Sequence, residues 1–189
     1  IYTGEDTLSL HDALPILPRS SAKRAIITGI VFHADDGKSI EGTEETLRAK
    51  NLAYHYLISR KGVIWTAYGE RNTWVPVASH AGNSYGPTEE FKGVSKKQDA
   101  GGRFVAGCSV NPYTIGIAFQ CYDTGDEELT PEQLKAAEEL VGILALKVRT
   151  LKWVTTHAIV SPGRKTDPKS FDVDAFSSKV GLPVWRPAK

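Results

Sequence analysis

The sequence has no methionine among its 189 residues, not even at the first position. A natural reading frame normally begins with methionine, so this absence indicates a frame that lacks its natural start. The sequence also has no apolar run approaching the ~20 residues that a membrane helix needs. We therefore expect no membrane span.

Cysteine and net charge are also low. Two cysteines, Cys108 and Cys121, are too few for a disulfide scaffold, and they leave open one bridge or two free thiols. The formal net charge is +1, whereas a nucleic-acid-binding domain normally carries a strongly basic face. These observations argue against a disulfide-rich protein and against nucleic acid as a partner.

The first 16 residues do not fit the rest of the chain. The segment Asp6–Ile16 (DTLSLHDALPI) resembles the conceptual translation of a short-read sequencing adapter, and Ile1–Thr3 also fits the adapter. Together with the missing methionine, this indicates a frame that runs off the end of an environmental (metagenome) contig. We predict that residues 1–16 are non-native, and we expect that the true N-terminus, with any signal peptide, is missing.

The remaining residues, 17–189, have the composition of one ordinary domain. The whole chain is 41% hydrophobic and 24% charged, which is typical of globular proteins. A domain of this size buries roughly 70% of the surface of its unfolded chain, enough for one core. We expect a single domain and a monomer.

Short apolar runs predict the strands of a sheet. Ala25–Phe32 is rich in β-branched residues, and Thr114–Tyr122 is apolar on both faces, which favours a central position. The segments Tyr54–Ser59 and Val63–Ala67 flank a plausible hairpin turn. Trp153–Thr156 predicts a further strand.

Two helices are indicated between these strands. Thr43 has the character of an N-cap for a helix that runs to about Leu52. Thr130 begins a stronger helix, with proline at the first helical position and Gln133 at the third. An apolar stripe follows at Leu134, Ala137, Val141, Leu144 and Val148. The order of elements predicts an α/β (α+β) single domain with a central mixed β-sheet flanked by helices.

Two histidines and one aspartate are candidates for a metal site. His33 and His157 each follow a predicted strand directly, and Asp167 lies ten residues after His157. Two imidazoles and a carboxylate are typical of catalytic zinc, whose fourth position is left to water. Spacing alone does not distinguish a metal site from histidines and aspartates that simply lie on the surface or in the core.

From about Ile26 to Phe176 the chain resembles the zinc-dependent N-acetylmuramoyl-L-alanine amidase superfamily. Phage lysis amidases, bacterial muropeptide amidases and animal peptidoglycan recognition proteins belong to it. The matching residues occur in the same order and spacing: Ile30–His33, Ala53–Ile58 with Lys61–Val63, Ser79–Gly82, Asn111–Ile117, Leu129–Leu134 and His157–Asp172. The resemblance implies a peptidoglycan recognition protein-like amidase fold and one bound Zn²⁺ ion held by His33, His157 and Asp167.

The resemblance also implies roles for four residues around the metal. It places Tyr54 beside the water that attacks the substrate, and Lys165 where it can stabilise the tetrahedral intermediate. It places His80 and Asn111 at substrate-binding positions. Strand alternation puts Tyr54 and the next residue on opposite faces, so we expect His55 to be structural.

Two departures from the superfamily pattern affect the mechanism. Ala118 stands where the muropeptide amidases carry a catalytic glutamate, so a water-orienting role falls to Tyr54, as in the phage-type branch. Ser79 replaces a tryptophan that often precedes the His-Ala-Gly motif. The loop Asn83–Gly107 is longer than in the smallest relatives, and we hypothesise that it overhangs the cleft and contacts substrate.

The resemblance therefore implies hydrolysis of the amide bond between N-acetylmuramic acid and L-alanine in bacterial peptidoglycan, and we expect the protein to be a phage endolysin. Its place of action would be the cell wall, reached by release from the host cytoplasm or by export. A non-catalytic peptidoglycan-binding module and a bacterial wall-recycling amidase are the alternatives. A serine hydrolase is disfavoured, because the single Gly-x-Ser-x-Gly match, Gly82–Gly86, lies in a long stretch without clear periodicity and not between a predicted strand and a helix.

Overall fold

The computed structural model describes residues 26–50, 52–66, 80–82, 84–86 and 110–187. The adapter-like segment 1–16, the replaced tryptophan position at Ser79 and Cys108 lie outside these ranges. Most of the long loop predicted at 83–107 also lies outside them. The predictions made for these parts therefore stay predictions.

Five strands form one mixed sheet. They are β1 (Gly29–Ala34), β2 (Tyr56–Ile58), β3 (Ile64–Thr66), β4 (Thr114–Phe119) and β5 (Trp153–Thr156). Their order across the sheet is β3-β2-β4-β1-β5. The β2–β3 hairpin is antiparallel, and the other neighbours are parallel. The predicted hairpin and the central position of β4 are both confirmed.

The register of the parallel strands brings the candidate histidines together. Phe32 in β1 pairs with Thr156 in β5, so the next residues, His33 near the end of β1 and His157 directly after β5, lie side by side at the same edge of the sheet. On its other side, His33 pairs with Ala118 of β4. Carboxyl ends of parallel strands are where α/β folds place their sites.

Four α-helices complete the described fold: α1 (Ile40–Ala49), α2 (Pro131–Lys147), α3 (His157–Val160) and α4 (Val173–Val180). A short 3₁₀ helix, Asn111–Tyr113, precedes β4. Among the described residues, no helix combines the length and apolar character that crossing a membrane requires. The single-domain mixed sheet with flanking helices confirms the predicted fold class.

The capping box predicted for α2 is present. Thr130 Oγ1 accepts a hydrogen bond from Gln133 N at 3.1 Å, and Gln133 Oε1 accepts one from Thr130 N at 3.1 Å. The buried Gln133 amide also donates to Ile58 O at 3.2 Å and Gln120 O at 3.1 Å, which ties the first turn of α2 to the sheet. Of the predicted stripe, Leu134 is partly buried and the other four residues are buried.

The predicted start of α1 at Thr43 is wrong, because the helix begins at Ile40. Ser39 Oγ accepts a hydrogen bond from Gly42 N at 3.1 Å, the interaction expected of an N-cap. The Thr43 hydroxyl lies inside the helix and donates to Asp35 Oδ2 at 2.6 Å. Threonine is a residue type that often caps helices, but the hydroxyl of Thr43 binds the side chain of Asp35 instead of a backbone N–H group.

Four buried phenylalanines fasten the C-terminal segment to the sheet. Phe32 and Phe119 stack with ring centroids 5.7 Å apart, and Phe171 packs on both, at 4.8 and 5.2 Å. Phe176 of α4 completes the cluster, 5.1 Å from Phe32. Cys121, a free thiol, is buried in the same core, and burial raises its pKa to about 12.

Candidate metal centre

The structure brings the three predicted metal ligands together, although they lie far apart in the chain. One potential ligand atom from each of His33, His157 and Asp167 lies within 4.8 Å of the others, and all three residues are buried. His157 Nδ1 is 3.1 Å from the Asp167 carboxylate, and His33 Nδ1 is 3.4 Å from its Oδ2. The two imidazole centroids are 4.5 Å apart.

Local structure fixes each of these side chains. His33 is the penultimate residue of β1, and His157 is the first residue of α3, directly after β5. Thr156 caps α3 by accepting a hydrogen bond from Ile159 N at 3.3 Å. Asp167 returns to this helix because its carbonyl oxygen accepts from Ala158 N at 2.9 Å.

The protonation states suit a cation. Burial lowers the pKa of His33 to about 4, against the opposing effect of Asp167. Burial raises the pKa of Asp167, but the neighbouring imidazoles of His157 and His33 outweigh burial and hold that pKa well below its usual range. At neutral pH the centre therefore presents a neutral His33 imidazole and a carboxylate, the forms that bind metal.

One nitrogen gives a direct test of whether a metal fits. His33 Nδ1 is buried and makes no hydrogen bond with any of the described residues. It faces Asp167, whereas the other ring nitrogen contacts His80. A donor set of two imidazole nitrogens and one carboxylate matches the preference of catalytic zinc. The residues present therefore fit a zinc ion.

His80 and Asn111 lie behind the ligands. His80 is buried, with Nδ1 3.0 Å from His33 Nε2 and Nε2 3.1 Å from Thr114 Oγ1. Asn111 Oδ1 accepts hydrogen bonds from the backbone N–H groups of His80, at 3.3 Å, and Ala81, at 2.8 Å. Their predicted contact with substrate stays a prediction.

Tyr54 lies beside the ligands, just before β2. Its ring centroid is 5.0 Å from that of His33, and the residue is partly buried. Burial, with the negative charges of Asp167 and Asp35, raises the pKa of Tyr54 above its ordinary value. Its hydroxyl is therefore protonated at neutral pH. His55 is buried, as a structural role predicts, and its Nδ1 accepts from Gly116 N at 2.9 Å.

Lys165 is exposed in the loop between α3 and Asp167. Its backbone N–H donates to Ser161 O at 3.0 Å. Its positive charge contributes to lowering the pKa of His33, so the ammonium group acts on the centre electrostatically. This position is compatible with its predicted role.

Sequence reasoning missed Arg164, which lies closer to the ligands than its neighbour. Arg164 Nη2 donates to Ala81 O at 2.6 Å and Ser161 Oγ at 2.7 Å, and lies 3.5 Å from His157 Nε2. Its place next to Lys165 in the ligand loop was the only available signal.

Asp123 was also missed, because nothing in the sequence connects it to the centre. Its carboxylate accepts from Thr166 Oγ1 at 2.5 Å and from Lys169 N at 2.9 Å. These two residues flank Asp167, so Asp123 holds the ligand loop on both sides. Lys169 Nζ adds a hydrogen bond to Asp123 O at 2.7 Å.

A buried His-His-Asp centre at the edge of a five-stranded mixed sheet defines a domain with the peptidoglycan recognition protein-like amidase fold. The family model described as N-acetylmuramoyl-L-alanine amidase matches residues 22–170, and the chain belongs to that family. No curated protein sequence matches the chain.

Several solved structures are similar to the chain. The amidase LysC from Clostridium intestinale has a TM-score of 0.58 at 20% identity, covering 83% of this chain and 87% of its own. The Escherichia coli amidase AmiD has a TM-score of 0.61 at 21% identity, and the match covers 89% of this chain and 62% of AmiD. Apis mellifera PGRP-SA has a TM-score of 0.56 at 16% identity, and the match covers 90% of this chain and 96% of PGRP-SA. At these identities the likeness supports the fold.

Proposed function

We propose that the protein is a zinc-dependent amidase that hydrolyses the bond between N-acetylmuramic acid and L-alanine in peptidoglycan. The observation that carries this proposal is the convergence of His33, His157 and Asp167 into a buried set of two nitrogens and a carboxylate. Family membership supports the substrate class. The solved AmiD structure, which has the same fold, holds a muropeptide with L-alanine after anhydro-N-acetylmuramic acid.

In this proposal His33 and His157, through their Nδ1 atoms, and Asp167, through a carboxylate oxygen, would hold one zinc ion. Zinc bound at such a site lowers the pKa of water from 15.7 to about 7 and polarises a carbonyl group. The protein must hold the ligands rigidly and keep the remaining position open to substrate. The strand ends, the α3 cap and the Asp123 contacts supply this rigidity.

Tyr54 acts in this mechanism as a hydrogen-bond donor that orients the attacking oxygen. Its raised pKa keeps the proton on the phenol, so it does not act as a base at neutral pH. Ala118, which pairs with His33, supplies no carboxylate at the position that carries glutamate in the muropeptide-amidase branch. Tyr54, whose ring packs 5.0 Å from that of His33, offers a hydroxyl for this role.

Lys165 balances the charge that develops on the amide carbonyl oxygen during attack. It is exposed, carries a positive charge and lies two residues from Asp167. Loss of one group that stabilises such a charge typically costs a factor of ~10²–10³ in rate. We assign His80 and Asn111 to the support of the centre, and the contacts that recognise the glycan stay open.

The biological setting that we propose is a phage endolysin acting on the bacterial cell wall. Ala118 favours the phage-type branch over the muropeptide amidases, because it removes the glutamate that distinguishes the latter. A wall-recycling bacterial enzyme is the alternative setting. The presence of all three ligands with Tyr54 and Lys165 favours an enzyme over a binding module.

The test is turnover of purified sacculi by the zinc-loaded chain, with products identified by mass spectrometry. We expect peptide stems with a free L-alanine amino group and intact glycan strands. Asp167→Asn should abolish release and lower zinc content, because an amide replaces the only carboxylate of the set. Asp174→Asn, a matched change of an exposed carboxylate on α4, should behave like wild type. Binding to sacculi without cleavage would instead identify a recognition module.

A further inference from the structure

We propose that two consecutive residues, His80 and Ala81, select the ring tautomers of both histidine ligands. His80 Nδ1 accepts a hydrogen bond from Nε2 of His33, and the Ala81 carbonyl oxygen accepts one from Nε2 of His157. In both ligands Nδ1 then carries no proton and faces Asp167. His80 is then a positioning residue that acts through His33. The inference rests on the proposed function only in taking His33 and His157 as metal ligands.

Thr114 is a buried residue at the start of β4 and contacts the ring of His80. A hydroxyl has a single proton to donate, and Thr114 Oγ1 donates it to Val110 O at 2.9 Å. Toward His80 Nε2, which lies 3.1 Å away, the same hydroxyl can therefore only accept. The proton of the His80 ring must then lie on Nε2.

This assignment fixes the role of the other His80 nitrogen. A neutral imidazole has one N–H donor and one bare acceptor nitrogen. With Nε2 protonated, Nδ1 of His80 accepts, and its neighbour at 3.0 Å is His33 Nε2. His33 therefore carries its proton on Nε2 and leaves Nδ1 bare. This Nδ1 is the buried atom without a hydrogen bond among the described residues.

Ala81, the residue after His80, fixes the tautomer of the second ligand, His157, in a similar way. His157 Nε2 lies 3.2 Å from the carbonyl oxygen of Ala81, which can only accept. His157 Nδ1 then faces the Asp167 carboxylate at 3.1 Å. In the proposed tautomer His157 Nδ1 carries no proton, so its 3.1 Å contact with Asp167 Oδ2 joins two acceptors. Two ring nitrogens and a carboxylate then converge, and a cation between them would bind all three.

The segment that does this is itself held in place. Asn111 accepts from both backbone N–H groups of the segment, and Arg164 donates a second hydrogen bond to Ala81 O. Gly116 in β4 makes room for the His80 ring: a Cβ atom at this position would lie 2.5 Å from His80 Cγ. The ring therefore has little freedom to turn away from His33.

Thr114→Val tests the chain of hydrogen bonds two contacts away from the metal. Valine has nearly the same shape but gives His80 Nε2–H no acceptor, which favours the opposite tautomer and moves the His33 proton to Nδ1, the ligand atom. We expect a loss of zinc affinity of roughly 10- to 100-fold, as for other groups that orient ligands. Val110 O keeps a hydrogen bond from Tyr113 N at 2.9 Å, so the substitution leaves this carbonyl paired.

The readouts are zinc affinity by chelator competition and histidine tautomers by ¹⁵N NMR of the zinc-loaded chain, with circular dichroism as a check on folding. Thr114→Ser restores the hydroxyl and should restore affinity. Thr150→Val is the matched control, because it removes an exposed hydroxyl that donates to Ile27 O at the other end of β1. It should leave zinc affinity unchanged.

In the wild-type spectrum we expect His80 and His33 to be protonated on Nε2. A proton on Nδ1 of His80, or wild-type affinity in folded Thr114→Val, would overturn the proposal. The wild-type spectrum decides the matter even if the valine variant does not fold. Zinc binding with these tautomers but no hydrolysis of sacculi would refute the amidase function alone, whereas hydrolysis with the opposite tautomers would refute this inference alone.

Discussion

The two ring nitrogens of His33 serve different neighbours. Nε2 contacts His80 at 3.0 Å, whereas Nδ1 faces Asp167 at 3.4 Å. The same division holds for His157, whose Nε2 faces Ala81 O and whose Nδ1 faces the carboxylate. In each histidine Nε2 fixes the orientation of the ring, and Nδ1 faces the proposed metal. Both roles require a ring that is buried and immobile.

At the residue scale, Tyr54→Phe separates catalysis from metal binding. The substitution removes a hydroxyl but keeps the ring that packs 5.0 Å from His33. We expect kcat to fall by roughly 10²-fold, in the range for losing one donor to the reacting atoms, with zinc affinity within a few fold of wild type. Kinetics on a soluble muropeptide together with chelator competition would measure both. Unchanged kcat would show that the hydroxyl has no part in the reaction.

At the scale of elements, the strand ends decide where the centre forms. Both strands were predictable from short β-branched runs, and the position of His157 directly after β5 is confirmed. The predicted end of the first strand at Phe32 is wrong, because β1 continues through His33 to Ala34. The superfamily resemblance supplied the Asp167 ligand, which spacing alone could not select. The third ligand lies in a loop, where periodicity carries no information.

Gly116→Ala tests how closely β4 and the supporting segment fit. The added methyl group would lie 2.5 Å from His80 Cγ and 2.8 Å from Cδ2, so the ring must move. We expect zinc affinity to fall by about 10-fold or more, because His33 loses its oriented partner. Gly142→Ala in α2, where an added Cβ meets nothing within 4 Å, is the matched control. Equal zinc affinity in the two variants would mean that the His80 position is not needed.

The contacts that hold the ligands were not predictable from sequence. Thr114, Asp123 and Ala81 are common residue types, and each reaches the centre through neighbours distant in the chain. Thr43 illustrates the same limit, since local sequence favoured it as a cap while Asp35 binds its hydroxyl. Residue type identified candidates, but only the packing of strands against loops decided which groups meet.

At the scale of the whole molecule, a buried ligand set makes the stability of the metal-free protein depend on pH. The pKa of His33 is about 4 in the folded state and 6.5 ordinarily. Between these values the unfolded chain binds more protons, so stability falls as pH falls from 6.5 to 4. This difference in the pKa of His33 corresponds to roughly 3 kcal/mol in the free energy of unfolding. Asp167, whose folded pKa is also lowered, adds a loss at still lower pH.

Urea unfolding of the metal-free chain at pH 7 and pH 4 would measure this effect, and His33→Gln would isolate it. Asp35, whose pKa burial raises, acts in the opposite direction, so the difference between wild type and variant is the informative quantity. We expect the variant to lose less stability on acidification than the wild type. An equal loss in both would contradict the assignment of a neutral, buried His33.

The central claim is that one zinc ion binds between two imidazoles and a carboxylate. A crystal structure of the zinc-loaded chain, with the metal located by its anomalous signal, tests this claim most directly. We expect zinc within about 2.0–2.2 Å of Nδ1 of His33, Nδ1 of His157 and one Asp167 oxygen. Zinc bound elsewhere, or ligation through either Nε2, would contradict it.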